Sequence, residues 1–219
     1  MKLEGKKINF LGDSITEGCG TSGREACFTE LLKNKYQLAA ARNYGIGGTR
    51  YARQIVCADE RVDTGDFCAR ALTMDPDADV VVVFGGTNDY GHGDAPFGKP
   101  EDRTEMTFCG ACHVLFARLK ARFPEAVILI VTPIHRTNDE SPAGDGRKQV
   151  PRPALKEYVR AIRETAPLYG LPVLELFDTG VLDPNDPTIL EGFVPDGLHP
   201  NDAGHVVLAE QIGGYLEQL

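Results

Sequence analysis

The sequence predicts an α/β fold, a parallel sheet with helices on both faces, and three observations carry that expectation. Strand-length apolar runs alternate with amphipathic stretches along the whole chain. Two of the runs, "ADVVVVFG" at 78–85 and "AVILIVT" at 126–132, are almost continuously apolar, the pattern of strands buried on both faces. No internal repeat, low-complexity tract or linker breaks the alternation. The 219 residues, 42% of them hydrophobic, suffice for one core, so 1–219 reads as a single domain. Alternating elements joined by right-handed crossovers make a three-layer α/β/α sandwich, and five strands fit a flavodoxin-like parallel sheet of order 2-1-3-4-5.

"KINFLG" supplies the first strand, "ARNYG" at 41–45 the second, the two apolar runs the third and fourth, and "LPVLELF" at 171–177 the fifth. The clearest helix is "PALKEYVRAIRETAPLYG", where Leu155, Tyr158, Val159, Ile162 and Tyr169 recur at three- and four-residue spacing and Pro153 suits a first turn. Phe108, Cys112, Leu115, Phe116 and Leu119 mark another helix, containing the lone C-x-x-C of Cys109 and Cys112. Zinc wants a second ligand pair, which Cys57 and Cys68 do not supply, so these thiols are read as structural. From Asp202 a last helix carries Leu208, Ile212, Tyr215, Leu216 and Leu219 on one face. Gly213 and Gly214 would weaken it, and close packing against the sheet is the expected reason for them. The long irregular stretch 136–153, rich in Pro, Gly and charge, is a candidate lid or specificity loop whose deletion should change substrate choice more than stability.

A net charge of −9 and a pI near 5.1 offer no basic stripe for phosphate backbones or anionic lipid, so neither nucleic acid nor membrane is an expected partner. "MKLEGKKINFLGDS" passes from charged residues straight into a strand, unlike a secretory signal, and "AVILIV" is far too short to cross a bilayer. The expected location is cytoplasmic, with the six cysteines reduced. Association of copies through the helical layers is the one oligomeric expectation.

Ligands of open parallel sheets bind outside the carboxyl ends of the strands. Ser14 follows the first strand, Gly47 and Gly48 the second, and Asn88, within "GGTND" at 85–89, the third; Asp196 and His199 follow the fifth. Their three-residue separation lets the carboxylate orient the imidazole through Nδ1, leaving Nε2 to take a proton from a serine hydroxyl that alone is a poor nucleophile. An oxyanion would meet three donors: the Ser14 N–H where a helix begins, the Gly48 N–H and the Asn88 amide. Each residue also has a local reading, as helix cap for Ser14, as Asx turn for Asn88 and as turn for Asp196-Gly197.

In that order, and over nearly the whole chain, "GDSITEG", "NYGIGG", "GGTND" and "DGLHP" resemble the four blocks of the SGNH, or GDSL-type, hydrolases. The resemblance implies a serine esterase working through an acyl-enzyme without metal or cofactor, with Ser14 as nucleophile, His199 as base, Asp196 as its orienter, and Ser14, Gly48 and Asn88 as oxyanion hole. Ile15 stands where the name-giving motif has leucine. Gly47 is the alternative donor to Gly48, which is preferred by alignment on Asn43. The G-x-S-x-G elbow of other hydrolases is absent around Ser14, Ser22 and Ser141. Asp13 and Asp89 are expected to shape the site through hydrogen bonds. Arg50, Tyr90, His92 and His135 lie at the same edge as candidate substrate contacts, while His113 and His205 are expected at the surface.

The expected substrate is a small soluble ester, first of all a carbohydrate O-acetyl group, with lysophospholipase, thioesterase or acyltransferase activity as variants. Two other classes compete. Asp13, Asp89, Asp196 and His199 could hold a divalent metal for phosphoester hydrolysis, which leaves the serine and oxyanion blocks unexplained. A non-catalytic carbohydrate-binding descendant of the fold would leave the filled triad positions unexplained.

Overall fold

The computed structural model describes residues 1–54, 65–146, 148 and 150–219. Its sheet consists of β1 (Lys7–Gly12), β2 (Ala40–Gly45), β3 (Val80–Phe84), β4 (Val127–Val131) and β5 (Val173–Leu174), all parallel, in the order β2-β1-β3-β4-β5. That is the expected sheet, with a much shorter fifth strand. Beyond Leu174 the amides of Leu176 and Phe177 bond to the Thr132 hydroxyl, and Phe177 also to the Glu175 carboxylate, so side chains take the donors that a longer ladder would use.

The alternation of side chains splits the buried strands between two cores. Val81 and Val83 of β3, with Ile128 and Ile130 of β4, face α5 (Phe108–Arg122) and α6 (Leu155–Thr165). Val80, Val82 and Phe84, with Leu129 and Val131, face α2 (Phe28–Tyr36) and α8 (Asp202–Gln218). Short helices leave the strand ends: α1 (Ser14–Glu17) after β1 and α4 (Thr87–Gly91) after β3, while α3 (Phe67–Arg70) packs against β1 and α5. A further helix, α7 (Pro187–Gly192), precedes the final loop.

Several expectations change here. His113 and His205 are both buried. His113 places Nε2 against the Pro100 carbonyl and Nδ1 against the Tyr169 hydroxyl, each at 2.9 Å. His205 accepts the Phe28 N–H, the first orphan donor of α2, through Nδ1 at 3.1 Å, and burial pushes its pKa down to about 4. Both histidines serve as neutral bonding groups between helices and loops. Cys68, Cys109 and Cys112 are buried free thiols, and burial raises all three; Cys57 lies outside the described residues.

The stretch from 136 to 146 is bound down on α4. Arg136 is buried, bonds to Asp145 and to Thr87 and lies over the Tyr90 ring; the Tyr90 hydroxyl donates to the carbonyls of Asn138 and Ser141. Residues 147 and 149 lie outside the description. Deleting this stretch would therefore also remove these bonds to α4.

Gly213 packs against α2 and not against the sheet: a Cβ there would come within 2.5 Å of the Tyr36 ring and 2.9 Å of Leu32, whereas a Cβ on Gly214 meets nothing within 4 Å. In urea titrations Gly214→Ala should raise unfolding stability by about 1 kcal/mol, the helical advantage of alanine, and Gly213→Ala should lower it by about 1 kcal/mol or more through overpacking. Equal effects at the two positions would contradict this packing.

Candidate active site

The pairing registers bring three strand ends level. Gly12 lies opposite Gly45 on one side and Phe84 on the other. The chain turns at once after each of these residues, so 13–14, 46–49 and 85–88 emerge side by side. The turn after β1 is compact: Asp13 caps α1 by accepting the Ile15 N–H at 3.1 Å, and Ser14 is the first helical residue. Asp13, and not Ser14, is therefore the cap, and the Ser14 N–H has no intrahelical carbonyl to bind.

Space for this turn depends on two glycines. A Cβ on Gly12 would lie 1.9 Å from the Thr16 hydroxyl oxygen, and one on Gly45 would lie 2.1 Å from the Glu17 nitrogen. Asn43 completes the junction, donating to the Thr16 carbonyl at 2.6 Å and accepting the Gly45 N–H at 2.8 Å. Gly86, the cap of α4, and Gly48 have φ of 112° and 75°, a region that favours glycine.

From the far end of the chain comes the loop that carries Asp196 and His199. It is docked by the Thr137 N–H on the Gly197 carbonyl at 2.8 Å and by Ser22, whose N–H and hydroxyl bind Asp202 at 2.7 and 2.6 Å. Gly20 passes so close beneath it that a Cβ would stand 2.4 Å from the Pro200 carbonyl. His199 Nε2 then lies 2.9 Å from Ser14 Oγ, and His199 Nδ1 lies 2.7 Å from Asp196 Oδ2. Asp196 Oδ1 accepts the N–H groups of Leu198 and His199. Partial burial raises the Asp196 carboxyl, but these bonds outweigh it and hold the group below its ordinary range.

The neighbouring donors separate cleanly. The Gly47 N–H is taken by Glu17 Oε2 at 2.7 Å, while the Gly48 N–H meets no backbone or side-chain acceptor among the described residues. Asn88 is buried, and Nδ2 donates one hydrogen to the Thr49 carbonyl at 3.1 Å, leaving the other. Asp89 is buried and accepts the N–H groups of Tyr51 and Ala52 at 2.9 and 3.0 Å, fixing the segment after Gly48. Glu17, Thr49 and Arg70, which binds Thr49, are parts of this arrangement that the motifs did not single out.

The other candidate contacts have structural partners of their own. The Tyr90 ring is buried. His135 bonds to Asp139 at 2.6 Å, a bond that raises its pKa, and stacks on Phe177, and His92 bonds to Asp145 at 3.0 Å. The Arg50 carbonyl accepts the Phe67 N–H, and its stem lies against Gly93. Asp13 and Asp89 are directed to backbone amides, and among the described residues no group of three or more His, Cys, Asp or Glu side chains is placed to hold a metal.

A hydroxyl, an imidazole and a carboxylate in one hydrogen-bonded line, at the strand ends of a doubly wound parallel sheet, define a hydrolase. The chain belongs to the GDSL-like lipase/acylhydrolase family, whose model matches residues 10–207, and is thus a hydrolase of ester bonds. It is 30% identical over 215 residues to a GDSL lipase of Mycobacterium tuberculosis, covering 94% of this chain and 79% of that one. A crystal structure from Lactobacillus plantarum is 28% identical, with a TM-score of 0.81 over 98% of both chains. An acetyl xylan esterase shares the fold at 22% identity, with a TM-score of 0.60 over 95% of this chain and 98% of its own. Among the described residues no helix is long and apolar enough to cross a membrane.

Burial raises Asp13 to about 7 and Asp89 to about 6, against the pull of their amide bonds. Both bind their protons more tightly folded than unfolded, so the stability they contribute is full below about pH 4 and is lost as pH rises to about 7. Asp13→Asn, which keeps an oxygen for Ile15, should therefore melt several degrees above the parent at pH 8 and near it at pH 4. A pH-independent difference in thermal melts would show that Asp13 ionises as easily folded as unfolded.

Proposed function

We propose that the protein is a serine esterase acting through an acyl-enzyme, and the observation that carries this reading is the line from Ser14 Oγ through His199 to Asp196. His199 Nε2 takes the proton as Oγ attacks the ester carbonyl. Asp196 holds the ring through Nδ1–H and stabilises the imidazolium. The oxyanion is bound by the N–H groups of Ser14 and Gly48 and by the second Nδ2 hydrogen of Asn88. Gly48 is preferred to Gly47 because Glu17 already holds the Gly47 N–H. The imidazolium then protonates the departing alcohol, and water, deprotonated by His199, releases the acid.

For the substrate we propose a carbohydrate O-acetyl ester. Beside Glu17 an open depression of about 710 Å3 runs along the edge of β2, lined by Thr21, Arg24, Arg42, Asn43 and Tyr44. No residue of the triad lines it, and its two arginines and the Thr21 hydroxyl offer a sugar alcohol bonding partners that a lipid tail would not use. The fold shared with an acetyl xylan esterase supports the same choice.

A fluorophosphonate should label Ser14, read by peptide mass spectrometry; with Ser22 and Ser141 the only other serines, an adduct there or none would overturn the mechanism. Asn88→Ala should fold and lose about 10²–10³ in kcat, and parental turnover would remove Asn88 from the oxyanion site. In a panel running from acetylated sugars to long-chain esters, kcat/KM should be highest for acetylated sugars. A preference for long acyl chains would favour the lipase alternative.

A further inference from the structure

Arg70 ends α3 outside all four motif blocks, yet its guanidinium reaches the ends of two strands and the turn after the second at once. Nη1 donates to the Gly12 carbonyl at 3.1 Å and to the Thr49 hydroxyl at 2.8 Å, and Nη2 donates to the Tyr44 carbonyl. Thr49 passes the connection on. Its hydroxyl donates to the Ile46 carbonyl at 2.6 Å, closing the turn that contains Gly47 and Gly48, and its own carbonyl receives the Asn88 amide. Phe67 seats α3 against the third segment, its ring filling the space where Gly85 would have a Cβ.

The side chain is buried, and every acceptor it bonds is neutral; among the described residues no carboxylate lies within ion-pair distance of it. Burying a guanidinium on such terms is a poor way to gain stability, since an apolar group of similar volume often does as well. What a planar fork does supply is a fixed angle between several acceptors, which neither lysine nor an apolar group reproduces.

We infer that Arg70 is a positioning residue for ester hydrolysis: by clamping the ends of β1 and β2 and the Thr49 hydroxyl together, it sets the three oxyanion donors at their mutual distances. The inference rests on the reading of Ser14, Gly48 and Asn88 as those donors. Arg70 touches no substrate. Its effect passes through Gly12 to the Ser14 amide, and through Thr49 to the Gly48 turn and the Asn88 side chain.

Arg70→Lys keeps the charge and loses the fork. Turnover of an acetyl ester should fall about 10- to 100-fold with little change in KM, the signature of donors displaced from a transition state that the ground state does not need. Thr49→Val removes one end of the clamp at nearly constant volume and should lower kcat in the same manner, so it carries the test by itself if Arg70→Lys does not fold. The decisive measurement is coupling: in an Asn88→Ala background either substitution should cost less than in the parent, because one of the three donors it positions is already gone. Parental kcat in both single variants, or full additivity with Asn88→Ala, would overturn the clamp. An Asn88→Ala enzyme with undiminished turnover, or a parent not labelled at Ser14, would instead overturn the site reading beneath it.

Discussion

Gly12 is paired with Gly45 on one side and Phe84 on the other, and the level finish of these three strands decides where the hydroxyl and its neighbouring amides can stand. A parallel ladder admits no sliding by one residue here, because each slip would exchange the two buried faces of β3. Val80, Val82 and Phe84 would then point into the core that fits Val81 and Val83. The hydrophobic layers thus specify the positions of polar groups that they do not touch. This is how an apolar pattern in the strands becomes a requirement on the geometry of the candidate site at their ends.

The requirement has a cost that is visible in the buried charges. Asp13 and Asp89 are both buried beneath the site and both have their pKa raised, and Arg70 lies among the same turns with neutral partners. Desolvation lowers Arg70 to about 10, which still leaves it charged at neutral pH. A core chosen for stability alone would avoid this group of ionisable side chains. Each of them instead holds a backbone segment: Asp13 the first turn of α1, Asp89 the amides of Tyr51 and Ala52, and Arg70 the carbonyl ends of two strands.

Strands and motif blocks were legible in the sequence because each is a local pattern. Four apolar runs set their own borders, and Ser14, Asn88, Asp196 and His199 stand in short blocks whose order follows the sheet. What escaped depends on partners far along the chain. Arg70 is one arginine in "FCAR" until the ends of β1 and β2 surround it, and nothing in "GDSITEG" shows that the Glu17 carboxylate takes the Gly47 amide. His205 was misplaced because its helix position alone does not reveal that Phe28, 177 residues away, offers a donor to it. β5 was overextended because "LPVLELF" is strand-like by composition, whereas Thr132 and Glu175 capture its amides. The difference between Gly213 and Gly214 is of the same kind, since Tyr36 and Leu32 distinguish them.

Two halves of the site are held by different means. Ser14 and the amides around it are fixed by the sheet, by close glycine contacts and by buried hydrogen bonds. Asp196 and His199 stand on a loop whose attachments are Thr137, Gly20 and the exposed pair Ser22 and Asp202. One hydrogen bond between hydroxyl and imidazole is worth about 1 kcal/mol net, too little to hold a loop in place. The loop is therefore placed by its other contacts, and the 2.9 Å approach of Nε2 to Oγ is a consequence of that placement. In the proposed mechanism a proton can then leave the hydroxyl, reside on the ring and pass to a departing alcohol while the contacts that place the loop stay in place.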